Sequence, residues 1–318
     1  MRHSLIILLL AVGMSVPAHA DVDSEALIKA GRADEALRAL NNEVHSHPDN
    51  ANAYNQLCRV YFQLEMWDSA LHMAEKSTSL EPRNSMFHQW VGRAAGRKAE
   101  NSNPFTAFGL ARRVKAEFER AVALDGNNIS ARSDLVEYYL EAPGFLGGDK
   151  NKARQQAEAV AQHDPGLAEY LYARVEEKQG SGRAEQQYQK AISDGGDSSR
   201  YWVELAYYYR RAGRLQEMEN AINKSLTASQ HEGIPEYDGA FILLRTGRNF
   251  PQAVRLLRDY TGGQNTSEDG PVFQAHYLLG QLLEKQGDRQ AAAEEYRAAL
   301  ALASQFRPAK DALARVSR

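Results

Sequence analysis

The chain has 318 residues, with 38 Lys or Arg against 41 Asp or Glu, for a formal charge of −3. So even a balance argues against a generic nucleic-acid binder, which carries a marked basic excess. A single cysteine, Cys58, excludes an intramolecular disulfide framework.

The first twenty residues read as a secretory leader. Arg2 gives a positive start, Leu5 to Val12 is an apolar run, and Ala18-His19-Ala20 ends in small residues suited to cleavage. The run is short for a membrane span, which needs roughly twenty apolar residues, so cleavage near Ala20 is expected rather than retention as an anchor. The mature chain then begins at Asp21 and loses Arg2, which takes the charge to −4. No cysteine follows the run to carry a lipid, and no later segment is apolar enough to span. Export without disulfides fits a bacterial periplasm.

From Asp21 on, the chain repeats itself. Pro48 and Pro82 lie 34 residues apart, each closing an apolar-periodic segment, and a period in that range predicts stacked helical hairpins. Unit one, Asp21 to Asn50, has a short first helix, Val22 to Lys29, then Gly31 and a second helix, Ala33 to Val44, and reads as an N-terminal cap. Unit two, Ala51 to Asn84, carries Tyr54, Leu57, Cys58, Tyr61, Ala70, Ala74 and Leu80. Unit three starts at Ser85. Its stretch Glu100 to Leu110 is about ten residues too long and has loop composition, with Phe105 and Phe108 embedded in it.

Unit four starts at Ile129 and carries a second insertion near 142–149, Ala142-Pro143-Gly144-Phe145-Leu146-Gly147-Gly148-Asp149. Unit five, Leu167 to Ile192, is the least regular. Units six (Ser199 to Ser229), seven (Gly233 to Tyr260) and eight (Gly270 to Ala303) complete the array. The polar connector around Gly262 to Ser267 predicts a hinge near 261–270. Pro308 to Val316 has one apolar and one charged face, as an end cap requires.

Within each unit a large residue, a leucine and a small residue sit three or four apart, and so share one helical face. The small slot, held by Cys58, Gly92, Ala206, Ala240 or Gly280, admits a close partner helix, and Gly31, Gly213, Gly247 and Gly287 break the first helices. Each hairpin leaves an apolar flank that only a neighbour covers. Unit eight reads His276, Leu279, Gly280, Leu283, Gly287, Ala292, Tyr296 and Ala299; unit six reads Trp202, Leu205, Ala206, Tyr209, Gly213, Ile222 and Ser225. In these residues the chain resembles the tetratricopeptide repeat (TPR) family. The resemblance implies an all-α, right-handed α-solenoid of about eight TPR-like helix-turn-helix units over residues 21–318, with a C-terminal capping helix and with first helices lining a concave groove.

Carried over slot by slot, the implied partner-binding groove holds Asn55, Arg59, Arg93, Arg97, Glu137, Tyr207, Arg210, Tyr237, Phe241 and Tyr277: basic early, acidic midway, aromatic late. Tyr207, Tyr237, Phe241 and Tyr277 are equally readable as packing between units. Some family members grip a C-terminal carboxylate with lysine, asparagine and arginine; Asn55 and Arg59 stand here without the lysine.

Catalytic signatures are missing. Gly144 to Lys150 has the wrong spacing for a phosphate loop and is followed by Asn151 rather than Ser or Thr. His45 and His47 have no third ligand in view, Cys58 reads as a packing residue, and no nucleophile elbow or metalloprotease motif occurs. No metal or cofactor is expected. The expectation is a non-catalytic protein-protein interaction scaffold of the bacterial cell envelope that binds a peptide or protein partner, with no nucleic-acid partner and no integral membrane segment. Two alternatives stand beside it: an oligomerisation platform within an envelope assembly, and an enzyme with a site where Phe105, Phe108 and Phe145 meet.

Overall fold

The computed structural model describes residues 23–317; the leader and its cleavage site lie outside them. Helices begin where a short polar side chain can take the free amides of the first turn. Asn50, Asn84, Asn103, Asn128, Asp149, Asp164, Ser198 and Asp288 each accept a hydrogen bond from a backbone N–H two or three residues on. First helices end on left-handed residues, Gly31, Gly180, Gly213, Gly247 and Gly287. In unit two that position is Glu65, at φ 59°, where a side chain is conformationally costly.

These signals yield seventeen α-helices among the described residues, and eight hairpins. They pair α1 (Ser24–Lys29) with α2 (Ala33–Ser46), α3 (Ala51–Gln63) with α4 (Trp67–Leu80), α5 (Ser85–Glu100) with α6 (Pro104–Leu124), and α7 (Ile129–Glu141) with α8 (Lys150–Val160). The second half pairs α9 (Pro165–Gln179) with α10 (Ala184–Asp194), α11 (Ser199–Arg211) with α12 (Leu215–Ser225), α13 (Pro235–Thr246) with α14 (Phe250–Gly262), and α15 (Val272–Lys285) with α16 (Arg289–Leu302). Helix α17 (Arg307–Val316) follows. The small slots do what their size allows: a Cβ added at Gly92 would lie 2.4 Å from the Phe118 ring, and one at Gly280 the same distance from Tyr296. Cys58 is fully buried. Successive first helices touch one another while successive second helices do not, so the stack curves with α3, α5, α7, α9, α11, α13 and α15 on the inside.

The first insertion is not the loop its composition implied. Pro104 takes the first-turn position, where its missing N–H is no loss, and Asn103 caps it, so the extra residues are wound into α5 and α6 and only 101–103 connect them. The second insertion is a turn: a 3-10 segment, Gly144–Leu146, then Gly147 at φ 92°.

The two ends are not separate caps, and the solenoid is not elongated. Leu27, Ile28, Leu37, Leu57 and Leu64 of units one and two share a single buried core with Phe273, Ala299, Phe306 and Ala309 from the other end of the chain. Gly31 backs onto Pro271 and Val272, where an added Cβ would lie 2.6 Å from the Val272 amide. The amide of Ser304 donates to both Asp34 carboxylate oxygens at 3.0 Å. The turn edge of units one and two thus sits on the opposite edge of unit eight, as the ends of a lock washer meet.

Polar contacts seal this seam. Arg59 in α3 pairs with Glu25 (2.6 Å) and Glu268 (2.5 Å), Gln63 donates to the Glu268 carbonyl (3.2 Å), and Gln274 donates to the Gln63 carbonyl (2.8 Å). Burial works against the charge on Arg59, but its hydrogen bonds to Glu25 and the Glu268 carboxylate outweigh it and hold the guanidinium above its ordinary pKa. The polar connector is thereby tied to α3 through Glu268.

Two outcomes follow from this packing. Gly280→Val forces Tyr296 out of place and should cost about 2 kcal/mol, read as a lower urea midpoint with an unchanged slope. Arg59→Ala strands two carboxylates at the seam and should cost about 2–4 kcal/mol, with a larger radius of gyration in small-angle scattering than the parent at equal helicity.

Candidate binding site in the lumen

Closure turns the expected groove into a lumen, whose wall is a ladder of side chains joining successive first helices. Arg93 donates to Asp134 (2.6 Å) and Ser130 (2.9 Å). Arg174 grips Glu137 through two nitrogens (2.8 and 2.7 Å), Arg211 likewise grips Glu177 (2.6 and 2.9 Å), and the Tyr207 hydroxyl reaches Asp238 (3.3 Å). Tyr237 donates to Gln274 (3.2 Å), and Gln274 reaches back to α3.

The slots named from sequence divide accordingly. Arg93, Arg97, Glu137, Tyr207, Arg210 and Phe241 are accessible or half-buried along the inner helices. Three slots are not free surface. Asn55 is fully buried, with neither its amide nitrogen nor its oxygen hydrogen-bonded; Arg59 is consumed by the seam; Tyr237 packs on Tyr260 with centroids 5.6 Å apart. The closure covers Arg59, and the connector at Gly270 covers Tyr237. Tyr277 packs within its own hairpin on Tyr296 and on Phe306 just before α17.

One recess along this wall, a cavity of about 630 Å³, is lined mainly from units two, three and seven and by the connector, with Asp134 and Gln274 at its margin. Phe62 stands edge-on to both Trp67 (5.3 Å) and Trp90 (5.5 Å). Arg93 lies over Trp90 and Arg97 over Trp67, both at 5.0 Å, and across the lumen Arg245 lies over Phe241 at 5.1 Å. A guanidinium stacked on an aromatic face still presents its N–H edge to a carboxylate: Arg93 gives that edge to Asp134 and Arg97 one nitrogen to Glu100 (2.6 Å), while Arg245 has no carboxylate partner among the described residues. Glu65 lines the same cavity; burial raises its pKa against the opposing pull of Arg97. Slot reasoning over first helices missed Trp67 and Glu65, which lie in the turn and at the start of α4, and Arg245, one helical turn beyond Phe241.

A second recess, about 470 Å³, is acidic, lined by Glu204, Glu232, Asp238 and Asp269 with Tyr207 and Arg200. Burial pushes the Asp238 carboxyl up to about 7, Glu204 adding to the shift and the Tyr207 hydroxyl partly opposing it. Burial raises Glu204 as well. Among the described residues no three of His, Cys, Asp and Glu come together as metal ligands.

Between the unfolded value near 3.8 and the folded value about 7, native Asp238 holds a proton that the unfolded chain has lost. Stability therefore falls as pH rises through that window. Asp238→Asn should flatten the decline, adding on the order of 1–2 kcal/mol at pH 8 and nothing at pH 4, measured by urea denaturation at both pH values.

Comparison with known proteins agrees with this architecture. Tetratricopeptide repeat models match residues 27–90, 199–232 and 239–305, together just over half of the chain. Among solved structures, yeast Tom70 superposes with a TM-score of 0.53 at 15% identity, over 90% of this chain and 58% of that one. The chain thus spans little more than half of Tom70, and at that identity the likeness is one of fold. A human IFIT1 dimer with m7Gppp-AAAA (TM-score 0.48, 15% identity, 88% of this chain and 70% of that) and a repeat protein from Cytophaga hutchinsonii (0.42, 14%, 91% and 98%) are more distant in shape. With helix-turn-helix units repeating where the sequence period placed them, and family models matching across units one and two, in unit six and across units seven and eight, the chain belongs to the tetratricopeptide repeat family, whose repeats form protein-protein interaction scaffolds.

Proposed function

We propose that this chain is a non-catalytic scaffold of the bacterial cell envelope, exported by its leader to the periplasm, which holds an acidic segment of a protein partner in its lumen. The observation that carries the reading is the cavity of units two, three and seven, where three arginines each lie 5.0–5.1 Å from an aromatic centroid around one space. Aromatic faces supply contact area at small entropic cost, and the unengaged edge of Arg245, with the remaining donors of exposed Arg97, supplies hydrogen bonds for a carboxylate. The acidic recess beyond the ladder favours a guest whose negative charge stays on the arginine side and whose positive charge, if any, faces Glu204 and Asp238.

The oligomerisation alternative loses its natural surfaces, because the two ends that would stack between molecules stack on each other. The enzymatic alternative finds its two insertions in contact, but they meet on exposed phenylalanine rings rather than around polar groups.

Arg97 and Arg245 are exposed, and no hydrogen bond of theirs joins neighbouring units, so Arg97→Ala/Arg245→Ala should leave helicity and melting unchanged. The pair should lower capture of envelope proteins by at least about tenfold, read with a photo-crosslinker placed at Phe241 in periplasmic extract. Capture equal to that of the parent would remove the lumen from the interaction.

A further inference from the structure

Four large apolar side chains stand exposed among the described residues, and three of them, Phe105, Phe108 and Phe145, share one tip built by the two insertions. Phe105 is 93% exposed, Phe145 77% and Phe108 46%. The Phe108 and Phe145 rings lie nearly parallel, with centroids 6.4 Å apart. The tip projects because α6 runs to 21 residues, against 11 in α8 and α10 and 14 in α4.

The rings are held out by a stiff backbone. The Asn103 side chain caps α6 at the amides of Phe105 and Thr106 (3.1 Å each). The Tyr138 hydroxyl donates to the Leu146 carbonyl (2.9 Å), and the Asp149 amide to the Tyr139 carbonyl (2.9 Å). A Cβ at Gly148 would lie 1.8 Å from the Ala142 carbonyl oxygen, so only glycine closes this turn.

Cations flank the two insertions. Arg112, one turn after Phe108 on the same helical face, is exposed and has no carboxylate partner among the described residues. Lys115 lies against Gly147, shared with Glu119 at 3.8 Å. Lys150 is exposed and donates only to the Lys178 carbonyl (2.6 Å). The nearby acids are engaged: Glu100 with Arg97 (2.6 Å), and Asp149 capping α8.

We propose that this tip docks the protein on an anionic phospholipid bilayer, with Phe105, Phe108 and Phe145 at the headgroup boundary and Arg112, Lys115 and Lys150 at the phosphates. A convex tip with nearly bare rings needs a matching pit in a rigid protein partner, whereas a fluid interface closes around it and its negative charge complements the cations. No helix of the described residues is long and apolar enough to cross a membrane, so the attachment is peripheral. It stands apart from the lumen.

The test is co-sedimentation of the full chain with vesicles containing roughly a third phosphatidylglycerol, against neutral phosphatidylcholine vesicles. Parent and variants share residues 1–20, so any affinity of the leader is common to all. Phe105→Ser/Phe145→Ser should lower partitioning onto anionic vesicles by at least about tenfold with helicity unchanged, and Arg112→Glu/Lys150→Glu should remove the preference for anionic over neutral lipid. Equal partitioning of parent and phenylalanine variant overturns the proposal. So does a parent without lipid preference, or a phenylalanine variant whose only change is from dimer to monomer in light scattering, which would assign the tip to a second copy.

Discussion

The arrangement of this molecule depends on one contact between distant parts of the chain: the Arg59 guanidinium held between Glu25 and Glu268. Repeat stacks ordinarily end in two exposed flanks, each needing a polar cover. Here the flanks cover each other, and the apolar part of that cover, Phe273 and Phe306 against Leu27 and Leu57, explains why such short helices as α1 and α17 suffice at the ends. A charged residue at 9% exposure is tolerable only because two carboxylates take its hydrogen bonds.

Closure also organises charge. Side chains that would line an open trough are recruited into pairs between neighbouring first helices: Arg93 with Asp134, Glu137 with Arg174, Glu177 with Arg211. What is left over after pairing is uneven. One sector retains Arg97 and Arg245 on aromatic faces; a neighbouring one, sharing Asp269 with it, retains Glu204 and Asp238, whose pKa values burial raises. The groups left along the lumen are therefore unevenly distributed, a property that arises from pairing rather than from composition, which is nearly balanced.

The sequence made the hairpins legible because their causes are local. Apolar spacing, small slots such as Gly92 and Gly280, and left-handed glycines each act within one unit, and so could be read from one unit. Sequence alone places Asn55 and Arg59 in an open groove; both are buried, and for Arg59 the reason is a partner, Glu268, 209 positions away. For Tyr237, readable either way, the packing alternative is the one found, against Tyr260 and the connector's Gly270. The insertion after Glu100 was read as a loop from Asn101, Ser102, Asn103 and Pro104, yet those residues act as a helix stop followed by a helix start. Trp67 and Glu65 escaped notice because the repeat assigns their positions to turn and outer helix. Only curvature brings them to the inner wall.

Gly31 meets Pro271 and Val272 with no room for even a methyl group. An open stack can gain or lose a repeat and simply become longer or shorter. In this molecule a change of one hairpin would swing unit eight past its seat on unit one, leaving both faces bare. The count of units is thus itself a structural parameter, set by the angle each pair contributes to one full turn.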